Sequence, residues 1–301
     1  MNIEHVFITV EKFSQPFLFT LIAIDFIFLF SKGLLKNKKE GFMNIINYIV
    51  PGIPYLLIIF IVQYKILFWV YENLRLFTLP NQWFILFFCY IVYDLIWWLV
   101  HYLSHNVRFF WCIHGVHHTP EEMNFSVSVR GSLFDFLISP HIIIWLPILG
   151  FHPFMIYIVE ITARLYGVFT HANDNFFKKT PFLDKIFITP HLHRVHHSRN
   201  PLYVDTNYAN MFSFWDRLFG TYQEEIKEVK PKYGVMDREI KSTQFKSTQF
   251  KMWIDLYKDI KNAPNWSNKF QYLIMPPGWN HMKSGKLGKD YRKEAIAKYN
   301  R

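Results

Sequence analysis

The chain has 301 residues, of which 51% are hydrophobic and 20% are aromatic, and its formal net charge is +10. This composition is typical of a membrane protein, because aromatic side chains gather where a bilayer meets water. With membrane spans present, the basic balance indicates an anionic membrane surface, and we expect no nucleic-acid partner. The two cysteines, Cys89 and Cys112, lack CxxC spacing and indicate neither a disulfide nor a thiolate metal site.

Four apolar stretches predict helices that span or enter a membrane. The third of them is the clearest, because it is long enough to cross a hydrocarbon layer of about 30 Å. The second contains Pro51-Gly52, which can kink a helix, and the fourth is interrupted by GFHP, which predicts a hairpin. In chain order the four stretches are residues 16–30, 42–62, 83–100 and 133–170.

The basic residues predict the orientation of these helices. Lys32, Lys36, Lys38 and Lys39 follow the first span, and a loop rich in lysine is expected on the cytosolic side. Counting spans from this loop returns both His101 and His171 to the cytosolic side. We therefore expect a multi-pass integral membrane protein, and the short soluble segments favour a bacterial inner membrane over the endoplasmic reticulum.

Histidines dominate the middle of the chain, where three short motifs have helical spacing. HYLSH (101–105) has histidines at i and i+4, while HGVHH (114–118) and HRVHH (193–197) have them at i, i+3 and i+4. We expect the imidazoles of each motif to point to one side of a helix. His171 stands alone at the end of an apolar helix.

So many imidazoles predict a metal centre, because neutral imidazole binds iron, zinc, copper and nickel. One zinc ion takes three or four protein ligands, so eight or nine histidines suit two ions. A zinc-binding transporter or sensor is the alternative from another class, although transport sites lie near the bilayer midplane rather than beyond helix ends. A metal-dependent membrane hydrolase is a third possibility, and it would need a carboxylate base.

Carboxylates near the histidines are candidates for orienting the imidazoles, since a ligating histidine donates its other N–H to an acceptor. Asp94 precedes His101 by seven residues inside a predicted span, where a charged group is functional by default. Glu121 and Asp205 follow the second and third motifs. We expect these three acids to contact imidazole nitrogens.

The fold class that we predict is all-α. It is a multi-pass membrane helical bundle with a cytosolic helical cap that carries a histidine-rich dimetal site. The chain divides into N-terminal transmembrane helices (1–80), a catalytic unit that contains the histidine motifs (81–225) and a cytosolic C-terminal segment (226–301).

The three motifs resemble the HxxxH, HxxHH and HxxHH boxes of the membrane-bound fatty acid hydroxylase (sterol desaturase) superfamily. Within that superfamily, longer stretches are similar to alkylglycerol monooxygenases. These stretches are DLIWWLVHYLSH, VHHTPEEMNFSVSVRGS, MPPGW and TPHLHRVHHSRNPLYVDTNYANMFSFWDRLFGTY, and together they cover roughly residues 83–290.

The resemblance implies an O2-dependent enzyme with two iron ions, a lipid substrate and an external electron donor, either a protein or a small reductant. Hydroxylation is the expected reaction, and desaturation of a lipid or sterol is the alternative within the fold. Zinc is expected to replace iron in some preparations, because it also binds histidine. The implied ligands are His101, His105, His114, His117, His118, His171, His193, His196 and His197.

Two positions depart from the pattern of the alkylglycerol monooxygenases. His191 stands where those proteins commonly have a small residue, so it is an additional candidate ligand. Asn106 stands where they usually carry Glu directly after the first box, which weighs against a role for their cofactor tetrahydrobiopterin.

Overall fold

The computed structural model describes residues 1–34, 37–54, 60–236 and 240–299. Within these ranges the regular elements are helical, and strand-like pairing is limited to two isolated bridges. The all-α prediction is therefore confirmed. The α-helices in the described ranges are α1 (Ile3–Ser31), α2 (Lys38–Pro54), α3 (Phe60–Leu74), α4 (Trp83–Asn106), α5 (Arg108–His114), α6 (Pro140–Ile143), α7 (Trp145–Ile148), α8 (Pro153–Thr170), α9 (Pro190–His196), α10 (Phe214–Leu218), α11 (Phe245–Asn262), α12 (Trp266–Ile274) and α13 (Gly288–Tyr299).

Two of the described helices, α1 and α4, are long and apolar enough to cross a bilayer. They contain the predicted spans 16–30 and 83–100, and each extends beyond its span. Both expose large apolar side chains, such as Ile27 at 65% and Trp83 at 64%. Lipid is a better solvent than water for such surfaces, which indicates a membrane protein.

The other two apolar stretches differ in part from the prediction. The stretch 42–62 is divided between α2 and α3, and its residues 55–59 lie outside the described part of the chain. The stretch 133–170 is interrupted at 149–152 as predicted, but α6 and α7 before the interruption have only four residues each. Gly150 fixes the interruption, because its φ is +94° and a Cβ there would lie 2.2 Å from the carbonyl oxygen of Phe77.

A charge inside α1 has a structural role that the sequence did not indicate. Asp25 is buried at 2% exposure, and its carboxylate accepts the backbone N–H of Phe125 at 2.8 Å. Phe125 begins a 3-10 helix, Phe125–Val129, which follows the second histidine motif. The contact ties the first candidate span to the backbone beside the histidines.

A buried polar network joins α2, the backbone near the second motif and the C-terminal helices. The Glu40 carboxylate accepts the backbone N–H groups of Glu121 and Glu122 and the hydroxyl of Ser242. The Arg130 guanidinium, which is 1% exposed, donates to Asn44 and to the carbonyl of Ser242. Because buried polar groups are costly unless they are paired, these bonds fix the relative position of segments far apart in the sequence.

Candidate metal centre

The nine histidines that the resemblance implies as ligands form two adjacent groups. Within each group the candidate ligand atoms all lie within 4.8 Å of one another. The rings of His118 and His197, one from each group, stack with their centroids 4.3 Å apart. The first group contains His101, His105, His114, His118 and His196, and the second contains His117, His171, His193 and His197.

The second and third motifs are each split between the two groups. In HGVHH, His114 and His118 lie in the first group and His117 lies in the second. In HRVHH, His193 and His197 lie in the second group and His196 lies in the first. The expectation that every imidazole of a motif points to one side was wrong. In both motifs the histidines at i and i+4 belong to the same group, whereas the histidine at i+3 belongs to the other group.

The division follows from the angle between adjacent side chains. Successive side chains point about 100° apart on an α-helix and about 120° apart in a 3-10 turn, so neighbouring histidines face different directions. His196 and His197 are neighbours at the end of α9. His117 and His118 are neighbours in the turn after α5, where the backbone bonds run from His117 N–H to His114 and from His118 N–H to Gly115.

The Nε2 atoms of the second group converge on a common point. The separations from His117 to His171, from His171 to His193 and from His193 to His197 are each 3.1 Å. Metal–nitrogen distances of about 2.1 Å place neighbouring ligand atoms about 3.0–3.4 Å apart. The spacing therefore fits a shared cation.

The candidate ligand nitrogens of the first group also lie close to one another. His114 and His118 bring their Nε2 atoms to 3.1 Å. The Nε2 atoms of His101, His105 and His196 are buried without a hydrogen-bond partner among the described residues. Buried nitrogens without partners are costly, and a metal ion in their midst would satisfy all of them.

The opposite ring nitrogens have acceptors that fix which nitrogen carries the proton. His101 Nδ1 lies 2.7 Å from the carbonyl oxygen of Tyr208, and His196 Nδ1 lies 2.8 Å from that of Thr206. His171 Nδ1 lies 2.5 Å from the carbonyl oxygen of Gly167. Because Nδ1 must be the donor in these contacts, Nε2 is left with its lone pair free for a metal.

Of the three predicted acids, Asp205 contacts a histidine. Its Oδ1 lies 3.4 Å from His105 Nδ1. The Glu121 side chain is exposed, and it is the Glu121 backbone N–H that bonds to Glu40. Asp94 does not contact an imidazole, because its carboxylate accepts the backbone N–H groups of residues 210, 211 and 212. For Glu121 and Asp94, the prediction of direct contact therefore has to be corrected.

Asp94 acts on the histidines indirectly, together with Asp216. The Asp216 carboxylate accepts the N–H groups of Tyr208 and Ala209 and the indole N–H of Trp98. The two acids thus anchor residues 208–212. The Tyr208 carbonyl in this segment is the acceptor for His101. Such carbonyl acceptors could not be predicted from the sequence, because a backbone group carries no side-chain signal.

His191, the additional candidate ligand, lies outside both groups. Its Nδ1 lies 3.4 Å from Asp184, and its Nε2 lies 3.3 Å from Glu225. On α9 it precedes His193 by two residues, so its ring points to a different side of the helix. Both of its nitrogens face carboxylates rather than the other histidines, so neither group includes it.

The histidines of both groups that lie beyond α4 are held in the neutral form. Burial disfavours the imidazolium cation and lowers the pKa of His117 to about 4 and that of His196 to about 3. Burial and neighbouring imidazoles also place the pKa values of His114, His118, His171, His193 and His197 well below the usual range. Neutral imidazole is the form that binds a metal.

A cavity of about 650 Å³ opens beside the two groups. His105, His118, His196 and His197 line its inner end, so the cavity reaches both groups. The rest of its wall comes from α5, α11, the segment after α12, the start of α13 and residues in the ranges 198–205 and 234–236. Its volume lies within the range of about 300–1,000 Å³ that is usual for small-molecule sites.

The comparison with protein families identifies the part of the chain that carries these groups. The family model for fatty acid hydroxylases matches residues 86–221, which contain both histidine groups. Residues 86–221 are therefore similar to a fatty acid hydroxylase domain.

Several curated relatives of this chain are alkylglycerol monooxygenases. The one from Caenorhabditis elegans is 30% identical over 70% of this chain and 43% of its own length. The one from Homo sapiens is 28% identical over 89% of this chain and 59% of its own length. An ornithine lipid hydroxylase from Rhizobium tropici is 29% identical over 46% of this chain and 41% of its own length.

The chain spans only part of each of these relatives, between 41% and 59% of their lengths. No solved structure matches the chain.

Proposed function

We propose that this protein is a membrane-bound di-iron oxygenase that hydroxylates a C–H bond of a lipid with O2 and electrons from an external donor. The observation that carries the proposal is the convergence of neutral imidazole nitrogens in two adjacent groups within a fatty acid hydroxylase domain. The names of the relatives support a lipid substrate, either an ether lipid or a fatty-acyl chain.

Each histidine group would hold one ion. The first group offers five nitrogens and the second offers four. Bound iron supplies, through O2, the oxidising power for an unactivated C–H bond that acid–base side chains lack. Zinc suits the same nitrogen donors, so we expect it in preparations from iron-poor medium.

The chain's own groups prepare the site for this chemistry. The carbonyls of Gly167, Thr206 and Tyr208 hold the imidazoles with Nε2 unprotonated. The Tyr208 ring packs against His101, His105 and His196 at centroid distances of 5.6, 5.2 and 6.0 Å, and it excludes water from one side of the first group. The rigid ligands and the dry surroundings direct oxidation to one bound carbon.

We also propose that the histidine groups lie on the cytosolic side of the membrane, as the lysines of the loop 31–41 predict. His101 and His105 lie at the end of α4, so both groups would lie next to the bilayer surface. The catalytic unit would be residues 81–225, and the C-terminal segment would complete the wall of the cavity. A lipid could then enter from the membrane without crossing water.

Asn106 weighs against tetrahydrobiopterin as the reductant. Asn106 stands where alkylglycerol monooxygenases usually carry Glu. Its side-chain amide donates to the carbonyl of Tyr102 and to the Tyr208 hydroxyl. It therefore has partners within the fold and brings no carboxylate to the site. The alternative of a zinc transporter or sensor has no counterpart among the names of the relatives.

The proposal is tested by single turnover of protein that has been loaded with iron, chemically reduced and embedded in lipid nanodiscs. A panel of 1-O-hexadecylglycerol, an ornithine lipid and phosphatidylglycerol would be exposed to ¹⁸O2. We expect one product to carry a single ¹⁸O atom. A desaturated product without ¹⁸O would shift the account to the desaturase alternative, and no oxidised product from any lipid would contradict the oxygenase proposal.

Two histidines of α9 provide a matched control for this test. His193 belongs to the second group, and His191 lies between two carboxylates outside it. We expect His193→Ala to abolish product formation. His191→Ala should retain bound metal and product formation, because its nitrogens face carboxylates.

A further inference from the structure

The cavity beside the histidines carries a charged wall that the oxidation chemistry does not require. Five cationic side chains line it, together with three carboxylates, those of Asp205, Asp255 and Asp259. The cations are Arg108, Arg199, Lys251, Lys258 and Lys286.

Three of the five cations have carboxylate partners. Arg108 pairs with Asp259 at 2.5 Å and Lys251 pairs with Asp255 at 2.6 Å, both across the cavity wall. Lys286 pairs at 2.8 Å with Glu294, which does not line the cavity. These pairs leave the wall with an excess of positive charge.

The other two cations are Arg199 and Lys258, which have no carboxylate within ion-pair distance in the part of the chain that the structure describes. Arg199 follows the third histidine motif, and a Cβ on Gly234 of the cavity wall would lie 3.6 Å from its guanidinium. Lys258 is exposed on α11. Both charges lie at the solvent end of the cavity, whereas the histidines close its buried end.

The composition of the metal centre adds to the positive potential. Nine neutral imidazoles would bind two metal cations without contributing any negative charge, and bound cations are the largest charges in such a site. An anion that enters the cavity would therefore meet cations at both ends. This step rests on the proposed function.

We propose that the cavity binds the anionic head group of the lipid substrate, a phosphate or a carboxylate, through Arg199 and Lys258. Arginine and lysine are the side chains that bind such groups by charge-assisted hydrogen bonds. With the head group at the solvent end, the part of the lipid that follows it would extend toward the histidines.

The test measures binding of three probes that share one alkyl chain and differ in the head group. Dodecyl phosphate, dodecanoate and dodecanol would be titrated by calorimetry into the zinc-loaded full chain in neutral detergent. We expect at least one anionic probe to bind about 10-fold more tightly than dodecanol or better, and its affinity to fall with added salt. The phosphate and the carboxylate arms distinguish the two head-group sources.

The decisive variant is the double change Arg199→Gln and Lys258→Gln. Its matched control is Lys227→Gln with Lys261→Gln, which removes the same charge from exposed positions that do not line the cavity. We expect the cavity variant to lose about 10-fold in affinity for the anionic probe and the control to lose less than about 2-fold. Thermal unfolding of both variants checks that each is folded.

Three outcomes would overturn the inference. Dodecanol could bind as tightly as the anionic probes, or the cavity variant could bind like its control. Alternatively, binding could be unchanged in the cavity variant and vanish on chelation, which would place the anion on the metal. None of these results affects the oxygenase proposal, because that proposal is tested by ¹⁸O incorporation into any lipid, including a neutral one.

Discussion

The buried histidines make the metal-free protein sensitive to mild acid. An unfolded histidine has a pKa of about 6.5. In the folded chain, burial lowers the pKa of His117 to about 4 and that of His196 to about 3. Below about pH 6.5 the unfolded chain therefore binds more protons than the folded chain, and the free energy of unfolding falls as the pH falls.

The size of the effect follows from these values. Between about pH 7.5 and 5.5, an unfolded histidine becomes largely protonated while His117 and His196 stay neutral, so each contributes a loss of about 1 kcal/mol. The pair accounts for about 2–3 kcal/mol. At about 2–4 °C per kcal/mol, this corresponds to a fall of roughly 5–10 °C in melting temperature. The other buried histidines of the two groups act in the same direction.

The assay is thermal unfolding of chelator-treated protein in neutral detergent across this pH range. The double variant His117→Gln with His196→Gln should lose about 2–3 kcal/mol of the pH dependence, since glutamine does not titrate. His5→Gln is the control, because His5 lies at the start of α1 and belongs to neither group. A wild-type melting temperature that is flat over the range, or an unchanged slope in the double variant, would refute the reasoning.

Three further changes test the supports of the site. Asp216→Ala should lower stability by about 2–5 kcal/mol in thermal unfolding, because it leaves the buried N–H groups of Tyr208 and Ala209 unpaired; a loss below about 1 kcal/mol would contradict this role. Asp205→Asn should weaken metal binding about 10-fold or more in a competition titration with a chelator, because the contact to His105 Nδ1 loses its charge. An unchanged metal affinity would show that Asp205 does not support the site. Gly150→Ala should lower the free energy of unfolding by more than about 2 kcal/mol in thermal unfolding, because it adds a backbone clash to a positive φ. Gly33→Ala is the control and should lower it by about 1 kcal/mol, because φ there is +66° and the space is open. Equal losses would show that the close approach of Gly150 to Phe77 is unimportant.

The sequence predicted the helical fold class and the candidate span in α4 because both depend on local patterns. A long apolar run with helical residues is readable without knowing what surrounds it. The division of 133–170 into short helices was less readable. It depends on the contact of Gly150 with Phe77, two residues far apart in the chain.

The spacing of the histidines predicted that they gather, but not how they are divided. The group that His117 and His196 each join depends on how the turn after α5 and the helix α9 are placed in the fold, which the spacing does not encode. The orientation of the imidazoles was also unreadable. It is set by the carbonyls of Thr206 and Tyr208, in a loop that distant acids hold in place.

The contacts of the acidic side chains could not be predicted from the sequence either. Asp94 was singled out because a charge in a span is expected to be functional, yet it binds the backbone of residues 210–212. Glu40 and Asp25 were not singled out, although both hold the backbone next to the second histidine motif. A carboxylate's partner is decided by tertiary packing, which a sequence pattern does not encode.

The central claim is that the two histidine groups hold a pair of iron ions. Its most direct test is iron-57 Mössbauer spectroscopy with a metal count, on protein purified in neutral detergent from cells grown with the enriched isotope. We expect close to two iron ions per chain with the spectrum of a coupled pair, and loss of the coupled signal in His117→Ala. A single redox-silent ion, or none, in iron-replete preparations would contradict the claim.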